Sequence, residues 1–164
     1  LVDFIAHERI AEYPVEGGPS AVCVTIYRED LVSAAYRLLR SLKWTGYAMV
    51  EFKGDCLIEV NPRHWGSMPL LFAAGSDFFD NYIRILNNEH RKIDIKTVPY
   101  KLNARMYFFP QAYLAVFSLL KKGRFAEAFR VLKKIIGARE GIFSLRNPVP
   151  FVNYLLSLAG RRIR

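Results

Sequence analysis

A chain of 164 residues, 52% apolar and 24% charged, can bury a sizeable core, which excludes a disordered segment and favours one domain, or one domain with an appendage. Its net charge of +9 is unevenly placed: residues 1–90 carry 8 Lys and Arg against 12 Asp and Glu, and residues 91–164 carry 16 against 3. Cys23 and Cys56 stand 33 positions apart, which fits neither a disulfide framework nor a metal-ligand spacing, and residues 1–5 lack the pattern of a signal peptide, so a reducing cytoplasm is expected.

Residues 7–14 and 20–27 are rich in Ile, Val, Tyr and Thr around the turn cluster Val15-Glu16-Gly17-Gly18-Pro19, which predicts a β-hairpin. Leu31, Ala34, Ala35, Leu38, Leu39 and Leu42 then recur at helical spacing behind Glu29-Asp30, predicting a helix that ends near Lys43 with Gly46 beyond it. Residues 47–53 and 57–61 are two further strands joined by a short loop. Residues 68–74 suit a short helix stopped by Gly75, and Ser76-Asp77 opens another towards Leu86. A basic linker follows around residues 91–96. Residues 100–109 are expected as one more strand, closed by Pro110, and the remainder as helices broken at Gly123, Gly137, Pro148 and Pro150. The longest apolar run, residues 112–120, is too short to cross a bilayer. Phe125, Ala128, Phe129, Leu132, Ile135 and Ile136 form one helical stripe, so residues 121–139 are expected as a basic amphipathic helix packed on the domain and not as a membrane anchor.

The chemistry concentrates in residues 51–63. Glu59 and Asn61 are two apart on a strand and share a face, while Ile58 and Val60 point to the other, towards the core. Pro62 keeps Asn61 extended and carries Arg63 past the strand end. Glu51 joins that face only if it lies opposite Glu59, which is expected from a three-residue loop at Gly54-Asp55-Cys56 with a bulge; a two-residue Gly54-Asp55 turn would set Glu51 against Ile58. Two carboxylates and an amide suit Mg²⁺, a hard ion that takes oxygen ligands. Acidic residues alternating with apolar ones also occur on any solvent-facing hairpin. Two glutamates directly opposed, however, would need a cation to offset their repulsion.

Glu51-Phe52-Lys53, Ile58-Glu59-Val60-Asn61-Pro62-Arg63 and Trp65-Gly66-Ser67, preceded by Gly17-Gly18-Pro19-Ser20, resemble the C-terminal half of the ATP-grasp superfamily over residues 5–110. The resemblance implies an α+β fold, an antiparallel sheet with flanking helices over residues 1–110, followed by a mostly helical basic extension over residues 111–164. It implies that Glu51, Glu59 and Asn61 hold Mg²⁺ or Mn²⁺ on the phosphates of ATP, with Ile58 against the nucleotide. Arg63 would face the reacting phosphoryl and carboxylate oxygens, and Arg105 would be a further substrate-contacting arginine. Gly17, Gly18 and Ser20, with Trp65, Gly66 and Ser67, would line the substrate site.

The implied reaction activates a carboxylate as an acyl-phosphate for attack by an amine. Cys23 and Cys56 fill strand positions and supply no covalent nucleophile; among His7, His64 and His90, only His64 lies within the motif. The chain starts at Leu1 without a Met, which reads as a cut or a renumbering. The family also needs an N-terminal domain and an ATP lid with phosphate-binding lysines, so this chain, as a fragment of a longer polypeptide or one half of a split enzyme, is expected to be inactive by itself. A rival expectation is a binding module whose basic tail meets anionic lipid, nucleic acid or an acidic protein. A third is a domain with no metal at all. A homodimer is compatible with each.

Overall fold

The computed structural model describes residues 2–89, 91 and 97–160. His90, most of the basic linker at residues 91–96, and Arg161, Arg162 and Arg164 lie outside the described residues. The described part is α+β: β1 (His7–Glu12), β2 (Ser20–Thr25), α1 (Glu29–Ser41), β3 (Met49–Lys53), β4 (Cys56–Asn61), α2 (Leu70–Ala73), α3 (Phe78–Leu86), β5 (Arg105–Tyr107), α4 (Gln111–Lys121), α5 (Phe125–Ile135), β6 (Arg139–Glu140) and α6 (Val149–Gly160). One sheet has the order β1-β2-β5-β6, antiparallel except for β5 with β6, and β3 pairs with β4 as a separate hairpin.

Strand alternation divides the sheet into two working faces. Val22 and Tyr107 look towards α4 and α5, where Ala112, Leu119, Ala128, Val131 and Ile135 complete one core cluster. Cys23 and Met106, one position along, look the other way onto Leu70 of α2. α4 and α5 therefore share a core with the sheet. Fully burying an aliphatic side chain such as Leu70 contributes about 1.5–3 kcal/mol.

Helix ends follow backbone geometry that the sequence marks only in part. α1 closes with Lys43 at φ 52° and Trp44 N–H donating to Leu39 O at 2.9 Å, so a lysine occupies the left-handed position that glycine usually takes. Gly75 does the same after α2 and Gly123 after α4. The Gly123 stop separates α4 from α5, so residues 121–139 are not one helix. Pro150, expected to break a helix, sits in the first turn of α6, where a missing N–H costs nothing.

The strand expected over residues 100–109 shrinks to Arg105–Tyr107. Thr25 explains why: its buried hydroxyl donates to Lys101 O at 2.7 Å and accepts from Ala104 N at 2.9 Å. Its backbone carbonyl accepts from Asn103 N, whose φ is 58°. A turn satisfied by one buried threonine has replaced the ladder. β6 was not legible in advance. It is two residues long and holds its place through Glu140, whose carboxylate accepts from the backbone N–H groups of Phe109, Ile142 and Phe143.

Candidate functional site

The hairpin register decides whether the three oxygen-bearing residues can meet. Met49 pairs with Asn61, Val50 with Val60 and Glu51 with Glu59, so Glu51, Glu59 and Asn61 share one face. The expected three-residue loop is not what achieves this. Lys53 pairs with Cys56 and Phe52 with Leu57, which leaves a two-residue turn at Gly54-Asp55 with Gly54 at φ 60°, as a type II′ turn requires. The register then shifts between Glu51 and Phe52, with Ile58 as the extra residue of a bulge. The bulge restores the alignment that an even turn alone would have lost. It also leaves Ile58 56% exposed, so its expected inward placement is corrected.

The opposed glutamates are each engaged. Arg9 of β1 reaches Glu51 Oε1 at 2.8 Å, and the Asn61 amide donates to Glu59 Oε1 at 2.6 Å. The cation that the like-charge pair calls for is thus supplied by the chain itself. Arg9 also donates to Ser20 Oγ at 3.1 Å and to Glu12 Oε2 at 3.1 Å, which ties the end of the glycine-rich loop to the acidic hairpin. His7, two residues earlier on the same face of β1, lies 2.9 Å from Ser67 Oγ through Nε2. Burial, aided by the nearby Arg9 cation, lowers its pKa from 6.5 to about 4 and holds the ring neutral at physiological pH.

Around this centre the motif residues divide into exposed and buried sets. Arg63 is exposed, and its guanidinium donates to His64 O at 3.2 Å. His64 stacks on Tyr47 at 4.8 Å and meets its hydroxyl at 3.1 Å. Trp65 is buried edge-on to Phe78 and Ser67 is buried on His7, while Gly66 between them is exposed. Trp65 and Ser67 therefore anchor the loop that presents Arg63. Gly18 is required by packing: a Cβ there would stand 2.1 Å from the Tyr13 carbonyl carbon. Gly17 is held at φ 128°, a region that favours glycine.

Arg105 is not brought to this centre. It pairs with Val24, on the sheet face opposite the row of Arg9, Cys23 and Met106, and donates to Lys133 O near the end of α5 at 3.3 Å. Its structural partner is the C-terminal end of a helix, where a cation is favourable. The residues missed in the sequence are His7 and Arg9. Their signal was a histidine and an arginine two positions apart on one strand, which places them on one face.

Among the described residues no group of three or more His, Cys, Asp or Glu could hold a metal ion; the hairpin face offers two carboxylates, Glu51 and Glu59, and the Asn61 amide. Glu51 Oε2, the second oxygen of Glu59 and Asn61 Oδ1 are the hard oxygens on this face without a hydrogen-bond partner named above. No helix among the described residues is long and apolar enough to cross a membrane. Comparison with protein-family models, curated proteins and solved structures finds no match for this chain.

Proposed function

We propose that this chain is the metal-binding, C-terminal part of an ATP-grasp ligase that joins a small carboxylate to an amine through an acyl-phosphate. The observation that supports this most is the opposition of Glu51 and Glu59 with Asn61 beside them on one hairpin face, and Arg63 just beyond the strand end. Mg²⁺ or Mn²⁺ bound there would neutralise phosphate charge on ATP. Arg63 would supply a planar guanidinium to the negative charge that develops on the phosphoryl and carboxylate oxygens. Ser20, whose hydroxyl accepts from Arg9, would face the acceptor substrate, while Ser67, buried on His7, holds the loop behind Arg63 in place. The nucleotide is shared with an N-terminal ATP-grasp portion that carries the adenine site and the phosphate-binding lysines.

Manganese binding in the presence of ATP, followed by electron paramagnetic resonance, tests the reading. Glu59→Gln removes a charged oxygen ligand and should lower Mn²⁺ affinity by about tenfold or more. Equal binding by the wild type and the variant, or no binding by either in the complete enzyme, would refute it.

A further inference from the structure

The tail helices turn more apolar surface outward than their packing uses. α5 seats Ala128, Val131 and Ile135 in the core, yet Phe125 is 65% exposed, Phe129 58% and Ile136 67%. Spacings of four and seven residues place these three with Leu132 along one stripe. The protein cover expected for this stripe reaches only its edge. α4 repeats the pattern, with Ala112, Ala115 and Leu119 inward and Tyr113, Phe117 and Leu120 exposed. α6 has no charged residue in its twelve positions and exposes Val149, Val152 and Leu156, and Leu145 before it is 89% exposed.

Charge complements this surface. Residues 111–164 carry eleven Lys and Arg against two Glu, whereas residues 1–110 balance at thirteen of each. Lys121 Nζ sits 4.6 Å from the Phe117 ring centre and Lys133 Nζ 4.5 Å from that of Phe129, so ammonium groups border the exposed aromatics. Lys121, Lys133 and Lys134 make no ion pair among the described residues. Exposed aromatic and aliphatic residues edged by lysines, on helices too short to span a bilayer, match the surface of proteins that lie in the headgroup region.

We propose that α4, α5 and α6 form a docking surface for an anionic lipid bilayer, with Phe125 and Phe129 entering the headgroup boundary and the lysines meeting lipid phosphates. The aromatic residues supply the apolar contact, and the positive charge selects anionic over neutral lipid. This surface uses no residue of the proposed ligase site, and either reading can fail without the other.

Co-sedimentation with vesicles of phosphatidylcholine alone, or containing about one third phosphatidylglycerol, at about 0.15 M salt tests it. Retention is expected on the anionic vesicles only. Phe125→Ser with Phe129→Ser should lower partitioning by about tenfold or more, because both rings are largely exposed in the unbound chain and Phe129 gives up besides only its contact with Lys133. Lys133→Glu with Lys134→Glu, which leaves the apolar stripe intact, should also release the chain, and Leu42→Ser, an exposed position on α1's C-terminal cap, should not. No retention on anionic vesicles, or retention unchanged in the double-Phe variant, overturns the proposal. So does a dimer in sedimentation velocity that the Phe variant dissociates while vesicle binding is absent, since a second copy would then cover the stripe.

Discussion

His7 offers a test in which the structure fixes both sign and size. In the unfolded chain the imidazole titrates near 6.5; in the fold, burial and the Arg9 cation lower this to about 4. Between those values the unfolded state binds a proton that the folded state refuses, so stability falls as pH drops through that window. Above pH 6.5 the contribution is fully present, and below about 4 no further loss comes from this residue. A shift from 6.5 to about 4, at 1.36 kcal/mol per pKa unit, gives about 3 kcal/mol as an upper bound. His7→Gln keeps a group able to hydrogen-bond Ser67 but cannot titrate. Urea unfolding midpoints measured from pH 7.5 to 4 should fall less steeply in the variant, by close to one proton's worth of slope. Asp30, held at about 2 by its hydrogen bonds to Arg28, loses its contribution below this window and does not mimic the effect. An unchanged slope in His7→Gln would mean that the ring is hydrated or already charged, and the contact of Ser67 with a neutral imidazole would fall with it.

Arg9→Gln removes two partly exposed ion pairs, to Glu51 and to Glu12, each worth about 0.2–1 kcal/mol, so its stability cost should stay within about 2 kcal/mol. Because Arg9 competes for Glu51, the same change should tighten Mn²⁺ binding by up to about fivefold in calorimetric titration; weaker binding would show that Arg9 supports the metal site. In the complete enzyme, Arg63→Lys should leave nucleotide affinity intact and raise the barrier of the chemical step by about 2–4 kcal/mol, and an unchanged turnover number would remove Arg63 from the chemistry. Leu70→Ala, at a position 1% exposed between Cys23 and Met106, should cost about 2–5 kcal/mol in chemical denaturation, and a loss below 1 kcal/mol would mean that α2 does not seal that face of the sheet.

The periodicity of residues 29–42 determined α1, and alternating residues on either side of two turns determined both hairpins, because these patterns report backbone hydrogen bonds made within a few residues. Glu59 and Asn61 on one face followed from strand geometry alone. Glu51 opposite Glu59 was also expected, but by another route: the even Gly54-Asp55 turn governs the loop, and a bulge at Ile58 corrects its register. What only the tertiary structure decided involves partners far apart in sequence. Arg9 meets Glu51 across 42 positions and His7 meets Ser67 across 60, while Thr25 replaces an expected strand with a turn across 76. The stripe on α5 shows the same limit. Spacing determines that Phe125, Phe129 and Ile136 share a helix face, but the contact with β1, β2, β5 and α4 buries only Ala128, Val131 and Ile135, and which part of an amphipathic face is covered depends on the shape it packs against.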